Sequence, residues 1–441
     1  MKKLFCVVLA LVLALGCVPF ASADEAVELR FLDVSPSPTR QEYFETTFAK
    51  FEEETGIKVI YESVPWDDAA DKLTVLGMSN QLPDVITCWA GWLGQFTEAE
   101  WVIPLTDYLG DSVNDFSKIV TDITWKAELQ LYGDYYTVPD GEMVKGVFIR
   151  KDWCEEEGIE LDYENGWTYD EYFDVVHKLT NPEKNRYGTS FRGARGAFDP
   201  LFVYLESFNG GYAYAEDGST LITSDECLEG YKKWMDLYLD GCAPKDAINW
   251  GFTEMVDNFC GGLTGTLIND SEVAATCLAN MDDSQWAVMP MPRGTDGKIQ
   301  NTVNAPYSYA ITADSENPDQ AWELISYLSR ADINIEYCKL FGLVPVKSDV
   351  GDDPLYGPDG PYATFMAELN DPDLVVPCAF GPFDYTDLHQ STMHEEMQRY
   401  LLGEEDAETA LHAVADELEA RMKEYLAENP GSTVEEPKSI S

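Results

Sequence analysis

The feature of this sequence that most restricts its fold is a repeated change between the strand period and the helix period. Residues 27–34 alternate as a strand, a helix with one aromatic face ends at Gly56, and residues 57–62 form a second strand. The same order returns with a helix over 67–81 and a third strand over 84–87. Strands that alternate with helices of this length predict an α/β fold.

Later segments carry apolar residues at helical spacing. In the last of them Leu411, Val414, Leu418, Met422 and Tyr425 fall on one stripe, as expected of an amphipathic helix docked on a core. The residues from 430 to 441 are predicted to be a polar tail. The later predicted helices cover 168–179, 225–240, 317–329 and 407–428.

The first 23 residues have the pattern of a secretory signal peptide and are not expected to belong to the fold. Two lysines precede an apolar segment over 4–15, and small residues at 21–23 offer a cleavage site. A competing interpretation is a lipoprotein box ending at Cys17, although the bulky Leu15 stands where that box usually has a small residue. The sequence therefore predicts an exported protein, extracellular or periplasmic, with a lipid anchor at Cys17 as the minority interpretation.

The charge of the chain excludes several partners. Asp and Glu number 80 against 29 Lys and Arg, a formal net charge of −51. So acidic a surface repels nucleic-acid phosphates and anionic lipids, since it offers few cations to replace their counterions. Cysteines and histidines show no metal-ligand spacing, so neither a metal nor a cofactor is predicted.

Several short motifs occur in an order that matches one known family. They are Phe51-Glu52-Glu53-Glu54-Thr55-Gly56 before the second strand, Leu82-Pro83-Asp84-Val85 at the third, Phe259-Cys260-Gly261-Gly262, Asn317-Pro318-Asp319-Gln320-Ala321-Trp322, and Gly342-Leu343-Val344-Pro345-Val346. With these motifs, the chain resembles the extracellular solute-binding proteins of ABC importers, specifically the sugar-binding branch that includes maltose-binding proteins. The resemblance runs over nearly the whole chain after the leader.

The resemblance implies two α/β lobes, each discontinuous in sequence, around a hinged cleft that closes on a ligand. The N-terminal lobe is expected over 27–138 and 286–311, and the C-terminal lobe over 141–285 and 312–429. A monomer that hands a small molecule, expected to be a carbohydrate, to a membrane permease is implied as well.

Sugars present C–H faces and hydroxyl edges, so a site for them needs aromatic planes and planar polar side chains. Ligand contacts in this family come from strand ends and hinges. Candidates at such places are Trp66, Asp67, Trp89, Trp92, Asp140, Glu142, Asn269, Asp270, Asn304, Tyr307, Tyr309, Phe383 and Asp384.

The most specific of these predictions is that Trp89 stacks on the ligand. It follows the third strand, and the small residues between Trp89 and Trp92 are expected to leave room for a sugar ring. Arg192 and Arg195 could bind hydroxyls or an acidic sugar, but pairing with the abundant carboxylates is the preferred interpretation.

A secreted glycosidase and a carrier of a different ligand are the two alternatives to a sugar-binding protein. A secreted glycosidase needs two carboxylates flanking a bond, which 80 acidic residues make uninformative, and no nucleophile elbow or phosphate-binding loop is found. The chain is therefore predicted not to be an enzyme. The same fold could instead carry a polyamine, a metal or a peptide, and the acidic candidates would suit a cation.

Overall fold

The computed structural model describes residues 27–305, 307–347, 353–383, 385 and 387–439. The predicted signal peptide, Cys17 and Asp384 lie outside these residues. In the described part of the chain, no helix combines the length and apolar character needed to cross a membrane.

The described elements follow one another as mixed strands and helices. The strands are β1 (Glu28–Asp33), β2 (Lys58–Ser63), β3 (Val85–Cys88), β4 (Met143–Arg150), β5 (Thr266–Asp270), β6 (Trp286–Met289), β7 (Ile299–Gln300), β8 (Val303–Asn304), β9 (Ser308–Ile311) and β10 (Leu374–Val375). The α-helices are α1 (Pro38–Thr55), α2 (Trp66–Met78), α3 (Ala90–Glu98), α4 (Thr106–Leu109), α5 (Trp125–Tyr132), α6 (Lys151–Glu157), α7 (Tyr169–Leu179), α8 (Phe198–Glu206), α9 (Asp225–Leu239), α10 (Phe252–Cys260), α11 (Val273–Asn280), α12 (Pro318–Leu328), α13 (Ala331–Phe341), α14 (Ala363–Glu368), α15 (Met393–Leu401) and α16 (Ala407–Glu428).

The first lobe is built on a sheet of order β2-β1-β3-β9, in which β1, β2 and β3 are parallel and β9 runs antiparallel to β3. Helix α1 begins where the Ser37 hydroxyl accepts a hydrogen bond from the Arg40 amide, and ends at Gly56 with φ of +77°. Its Phe44 and Phe48 rings lie 4.9 and 5.1 Å from the Phe31 ring of β1. This packing confirms the predicted βαβ opening.

The second lobe is built on β5, β4 and β6, with β8 pairing at the start of β4, and its strand pairs are antiparallel. Helices α7, α8, α9, α15 and α16 form a second core beside it. In α16 the predicted apolar stripe is buried except for Tyr425 at its end, which is partly exposed, and the helix has the predicted bounds. Together the two sheets confirm the two-lobed α/β fold.

Two predicted lobe boundaries differ from this topology. The sequence predicts that the segment from 286 belongs to the first lobe, but β6 pairs with β4 in the second sheet, with Trp286 opposite Arg150. The segment from 312 was assigned to the second lobe, but α12 packs on the first, where Tyr327 lies 5.2 Å from Phe51. Pairing partners distant in sequence decide both placements.

The predicted polar tail is also more ordered than expected. Lys438 and Val376 exchange two backbone hydrogen bonds of 2.8 and 2.9 Å, and Lys438 is buried. The Ala379 amide donates to the Glu435 carboxylate at 3.0 Å. The last described residues are therefore part of the second lobe.

The chain passes between the lobes around residues 139–142. Val138 still pairs with Tyr309 of the first sheet, whereas Met143 pairs with Asn304 at the start of the second. Between them Glu142 exchanges backbone hydrogen bonds with Val344 at 2.8 and 2.9 Å. This crossing is the first predicted hinge.

Candidate functional site

Four aromatic side chains form an aromatic cluster (Trp66, Trp89, Trp92 and Tyr307) on the first lobe. The Trp66 and Trp92 rings are stacked, with centroids 4.9 Å apart and planes at 24°. Trp89 and Tyr307 each lie edge-on to Trp66 at 5.8 Å. All four are partly exposed, so the cluster presents an aromatic surface to solvent.

The topology of the first sheet explains why these residues meet. Trp66 follows β2 as the first residue of α2, and Trp89 follows β3 as the N-cap of α3. Tyr307 precedes β9, whose first residue pairs with Cys88 at the end of β3. All three positions therefore lie at the carboxyl edge of the parallel strands, where ligands gather in open α/β sheets.

The space predicted between Trp89 and Trp92 is not free. The Trp89 ring folds back over Gly91, where a Cβ atom would lie only 2.2 Å from it, and Trp89 and Trp92 are edge-on at 6.1 Å. The small residue thus makes room for Trp89 itself. A sugar ring would meet the outer surface of the cluster instead of entering between these two indoles.

Behind the cluster lies a buried ion pair that sequence reasoning did not identify. The Arg40 guanidinium donates to both oxygens of Asp33, at 2.9 and 3.1 Å, and both residues are buried. Its carbon also lies 5.0 Å from the Tyr307 ring centroid. Burial alone would lower the pKa of Arg40, but its partners outweigh that effect and the pKa is raised.

Asp140, predicted as a ligand group, lies in this network and is fully buried. Its carboxylate accepts hydrogen bonds from the Tyr337 hydroxyl and, at 3.3 Å, from the Tyr307 amide. Burial raises the pKa of Asp140 to about 7, although nearby Arg40 opposes the shift. The structure therefore corrects this prediction, because Asp140 ties the hinge to the first lobe and has no surface to offer a ligand.

Glu142 is likewise buried at the hinge. One carboxylate oxygen accepts from the Thr124 hydroxyl at 2.9 Å, and the other has no hydrogen-bond partner among the described residues. Burial raises the pKa of Glu142 to about 8, and the charge of Asp140 adds to the shift. A direct ligand contact is not available to this side chain either.

On the second lobe, the ends of β4 and β5 supply a polar wall. Lys145 donates to both oxygens of Asp270 at 3.0 Å, across the antiparallel pair that joins the two strands. Asn269 beside them is buried, and its side-chain oxygen accepts from the Asp270 amide at 2.8 Å. Asn269 and Asp270 thus lie together, as predicted, and Lys145 is an additional member.

The loop before α8 adds two arginines to this wall, and they differ. Arg195 is exposed and donates to Gln390 at 3.1 Å. Arg192 lines the same pocket as Lys145, Asn269 and Asp270. The preferred prediction that Arg192 pairs with a carboxylate is wrong for this structure, since no described residue forms an ion pair or hydrogen bond with it.

The two walls approach each other at the hinge. A Cβ atom on Gly342, at the end of α13, would lie 2.5 Å from the Cα atom of Glu272, which follows β5. Burial raises the pKa of Tyr307 in the aromatic cluster, and the charge of Glu272 contributes to that shift. The aromatic cluster and the polar wall therefore border one cleft.

The remaining predicted residues lie in different parts of the fold. Tyr309 was predicted as a ligand contact, and the structure corrects this prediction because its ring is buried in the first-lobe core, 6.1 Å from Phe31. Phe383 packs over Gly381 in a loop of the second lobe. Asp67 and Asn304 are placed by their backbones at the start of α2 and in β8. Within the described residues, no group of acidic, histidine or cysteine side chains could hold a metal ion.

Arg40 and Lys145 are the functional candidates that sequence reasoning missed. A signal for Arg40 existed, because it stands four residues before Phe44 on the same buried face of α1. A cation in line with an aromatic stripe is expected to be buried and paired. Lys145 carried no comparable local signal, since its partner Asp270 is brought to it only by strand pairing.

Comparisons with known proteins agree with this fold. A binding protein of Brucella abortus (strain 2308) is 23% identical over 414 residues, which cover 94% of this chain and 98% of the relative. The maltotriose-binding protein of Pyrococcus abyssi is 23% identical over 312 residues, covering 68% of this chain and 62% of that protein.

Among solved structures, the GacH receptor of Streptomyces glaucescens, determined unliganded and in complex with acarbose, has a TM-score of 0.73 at 20% identity. The match covers 90% of this chain and 99% of the receptor. The family model described as bacterial extracellular solute-binding protein matches residues 35–335, well over half of the chain. The chain belongs to the bacterial extracellular solute-binding protein family.

Proposed function

We propose that this protein is the substrate-binding component of an ABC importer and that it captures a sugar or oligosaccharide in the cleft for delivery to a membrane permease. The observation that carries the proposal is the aromatic cluster at the carboxyl edge of the first sheet. Aromatic planes pack against the C–H faces of sugar rings, and the polar wall opposite offers hydrogen bonds to hydroxyl edges. The maltotriose- and acarbose-binding relatives support the same ligand class.

A cationic ligand is less well supported. The acidic candidates described at the cleft already have partners, since Asp270 is bound by Lys145 and Asp140 lies beside Arg40. A polyamine would have to displace those cations. The protein binds its ligand without turnover, as its family does.

The direct test is a thermal-shift and calorimetric screen of residues 24–441 against mono- and oligosaccharides, polyamines and metal ions. A carbohydrate at one hundred times its Kd should stabilise the protein by about 2.7 kcal/mol and be recovered unchanged. Binding of a polyamine or metal alone would contradict the carbohydrate assignment. Shortened products formed at catalytic rates would instead show a hydrolase.

The exported state is part of this proposal. Cleavage after residue 23 gives a mature protein that begins at Asp24, found in the extracellular or periplasmic space. Mass spectrometry of the natural protein should find that N-terminus. A lipidated Cys17 in its place would put the protein on the outer face of a membrane.

A further inference from the structure

A pocket in the polar wall of the second lobe contains an arginine that forms no ion pair with any residue the structure describes. The pocket lies between the ends of β4 and β5 and the loop that precedes α8. Its polar lining includes Lys145, Ser190, Arg192, Asp199, Asn269 and Asp270.

Arg192 is unusual in a chain with 80 acidic and 29 basic residues. Its Nε atom is buried and has no hydrogen-bond partner in the described part of the chain. The nearest acids are already engaged: Lys145 binds both oxygens of Asp270 at 3.0 Å, and His389 lies 3.1 Å from Asp199. Burial lowers the pKa of Arg192, and the charges of Asp199 and Asp270 only partly oppose this.

Asn269 supplies a second unpaired donor in the same pocket. The residue is 4% exposed, and its Oδ1 atom accepts from the Asp270 amide. Its Nδ2 atom is buried and, within the described residues, donates to nothing. Two buried donors that share a pocket and lack acceptors are costly unless an acceptor arrives from outside.

The loop is shaped around the guanidinium. Gly196 has φ of +80°, and a Cβ atom there would lie 2.6 Å from the guanidinium carbon of Arg192. A side chain at position 196 would therefore displace Arg192. The backbone keeps the cation in the pocket although no acceptor on the described residues is hydrogen-bonded to its Nε atom.

We propose that Arg192 and Asn269 bind a carboxylate of the ligand, so that the cargo is an acidic sugar or an oligosaccharide containing one. This inference rests on the proposed carbohydrate-binding function. A planar guanidinium matches a carboxylate or a phosphate. The carboxylate is favoured because one unpaired cation balances a single negative charge, whereas the net charge of −51 repels a dianion more strongly.

The experiment measures affinity by isothermal titration calorimetry for three kinds of probe at one ionic strength. They are uronate trisaccharides (galacturonate, glucuronate and mannuronate), the methyl ester of each, which removes only the charge, and glucose 6-phosphate. At least one uronate should bind ten times or more tighter than its ester. In Arg192→Met that affinity should fall about 10- to 100-fold while ester binding is kept.

Two variants control this result. Arg399→Met removes an arginine that pairs with Glu396 at 2.8 Å and should leave every affinity unchanged. Arg192→Lys keeps the charge but not the planar fork, and should retain part of the preference for the acid. Thermal unfolding without ligand should show Arg192→Met to be no less stable than the wild type, because the described structure shows no hydrogen bond or ion pair of Arg192 that would be lost.

The other outcomes would contradict the carboxylate site, the choice of carboxylate over phosphate, or the carbohydrate function. Esters or neutral oligosaccharides that bind as tightly as the acids, with Arg192→Met unaffected, would refute the carboxylate site and leave the carbohydrate function standing. Tighter binding of glucose 6-phosphate than of any uronate would replace carboxylate by phosphate. If no carbohydrate in this panel or in the neutral screen binds, the proposed function itself fails.

Discussion

Arg40 and Arg192 stand on opposite walls of one cleft, and they are held in opposite ways. Arg40 donates to both oxygens of the buried Asp33, contacts Tyr337 and lies against aromatic rings. Arg192 lines a pocket with its Nε atom buried and no partner in the described structure. Among the described residues, Arg40 has an ion-pair partner and Arg192 has none.

The difference distinguishes an arginine that stabilises the fold, Arg40, from one that we propose binds a ligand, Arg192. A buried charge with complete partners fixes the hinge side of the first lobe, and breaking it leaves an uncompensated carboxylate. A charge without partners contributes nothing comparable to the ligand-free fold. It retains its hydrogen-bonding capacity for a ligand.

The largest expected effect is on the paired side. Arg40→Met should lower the free energy of unfolding by about 3–5 kcal/mol, since Asp33 stays buried without its cation. Urea denaturation of the ligand-free protein measures this. Arg30→Met is the control, because Arg30 pairs with Glu62 but 42% of its side chain is exposed, and it should cost about 1 kcal/mol or less. A loss of stability for Arg40→Met as small as that of the control would contradict a stabilising role for the buried Arg40–Asp33 pair.

The buried Glu142 at the hinge should make the stability of the protein depend on pH. Glu142 is buried without a cation, and its pKa is raised from 4.5 to about 8 by burial. Between those values the folded state holds more protons than the unfolded state, so stability falls as pH rises, by up to about 1.4 kcal/mol per pH unit for this group.

Glu142→Gln should therefore be more stable than the wild type at pH 8 and close to it at pH 5. Denaturation curves across that range measure the slope, with the exposed Glu53→Gln as control. An unchanged slope in Glu142→Gln would show that Glu142 is not buried as an uncompensated acid.

A smaller effect is expected at the aromatic cluster. The sequence alone predicts that Trp89→Ala leaves the ligand-free protein nearly unchanged, but the ring packs on Gly91, Trp66 and Trp92. A loss of about 1–2 kcal/mol in stability is now expected, less than for a fully buried tryptophan. Carbohydrate affinity should fall about fivefold or more.

Trp101→Ala is a matched control for that variant. Trp101 is also partly exposed and also lies over a glycine, with a Cβ atom on Gly77 placed 2.4 Å from its ring, but it is not in the aromatic cluster. It should cost similar stability and leave affinity unchanged in calorimetry. Equal losses of affinity in the two variants would mean that Trp89 acts only through packing.

Local patterns in the sequence predicted the elements of this fold well. The stripe on α16 and the cap that begins α7, where Thr168 and Glu171 form a capping box, are encoded within a few residues. The family motifs then predicted the two lobes. The placement of β6 and α12 was missed, because each depends on partners more than one hundred residues away.

The residues of the candidate site also differ in whether local sequence could predict them. Trp66, Trp89, Trp92 and Tyr307 could be chosen because strand ends in an open sheet share one edge. Whether a polar residue faces a ligand or a protein partner depends on pairing that the sequence does not display. For that reason Asp140 was predicted as a ligand group and is buried, whereas Arg192 was predicted to be paired and has no partner among the described residues.

The most direct measurement is a crystal structure of the protein with a bound uronate oligosaccharide. We expect a sugar ring against the outer surface of the aromatic cluster and the carboxylate within hydrogen-bond distance of Arg192 Nε and Asn269 Nδ2. The Arg40–Asp33 pair should be unchanged. A ligand bound elsewhere, or Arg192 paired with a protein carboxylate in the complex, would contradict it.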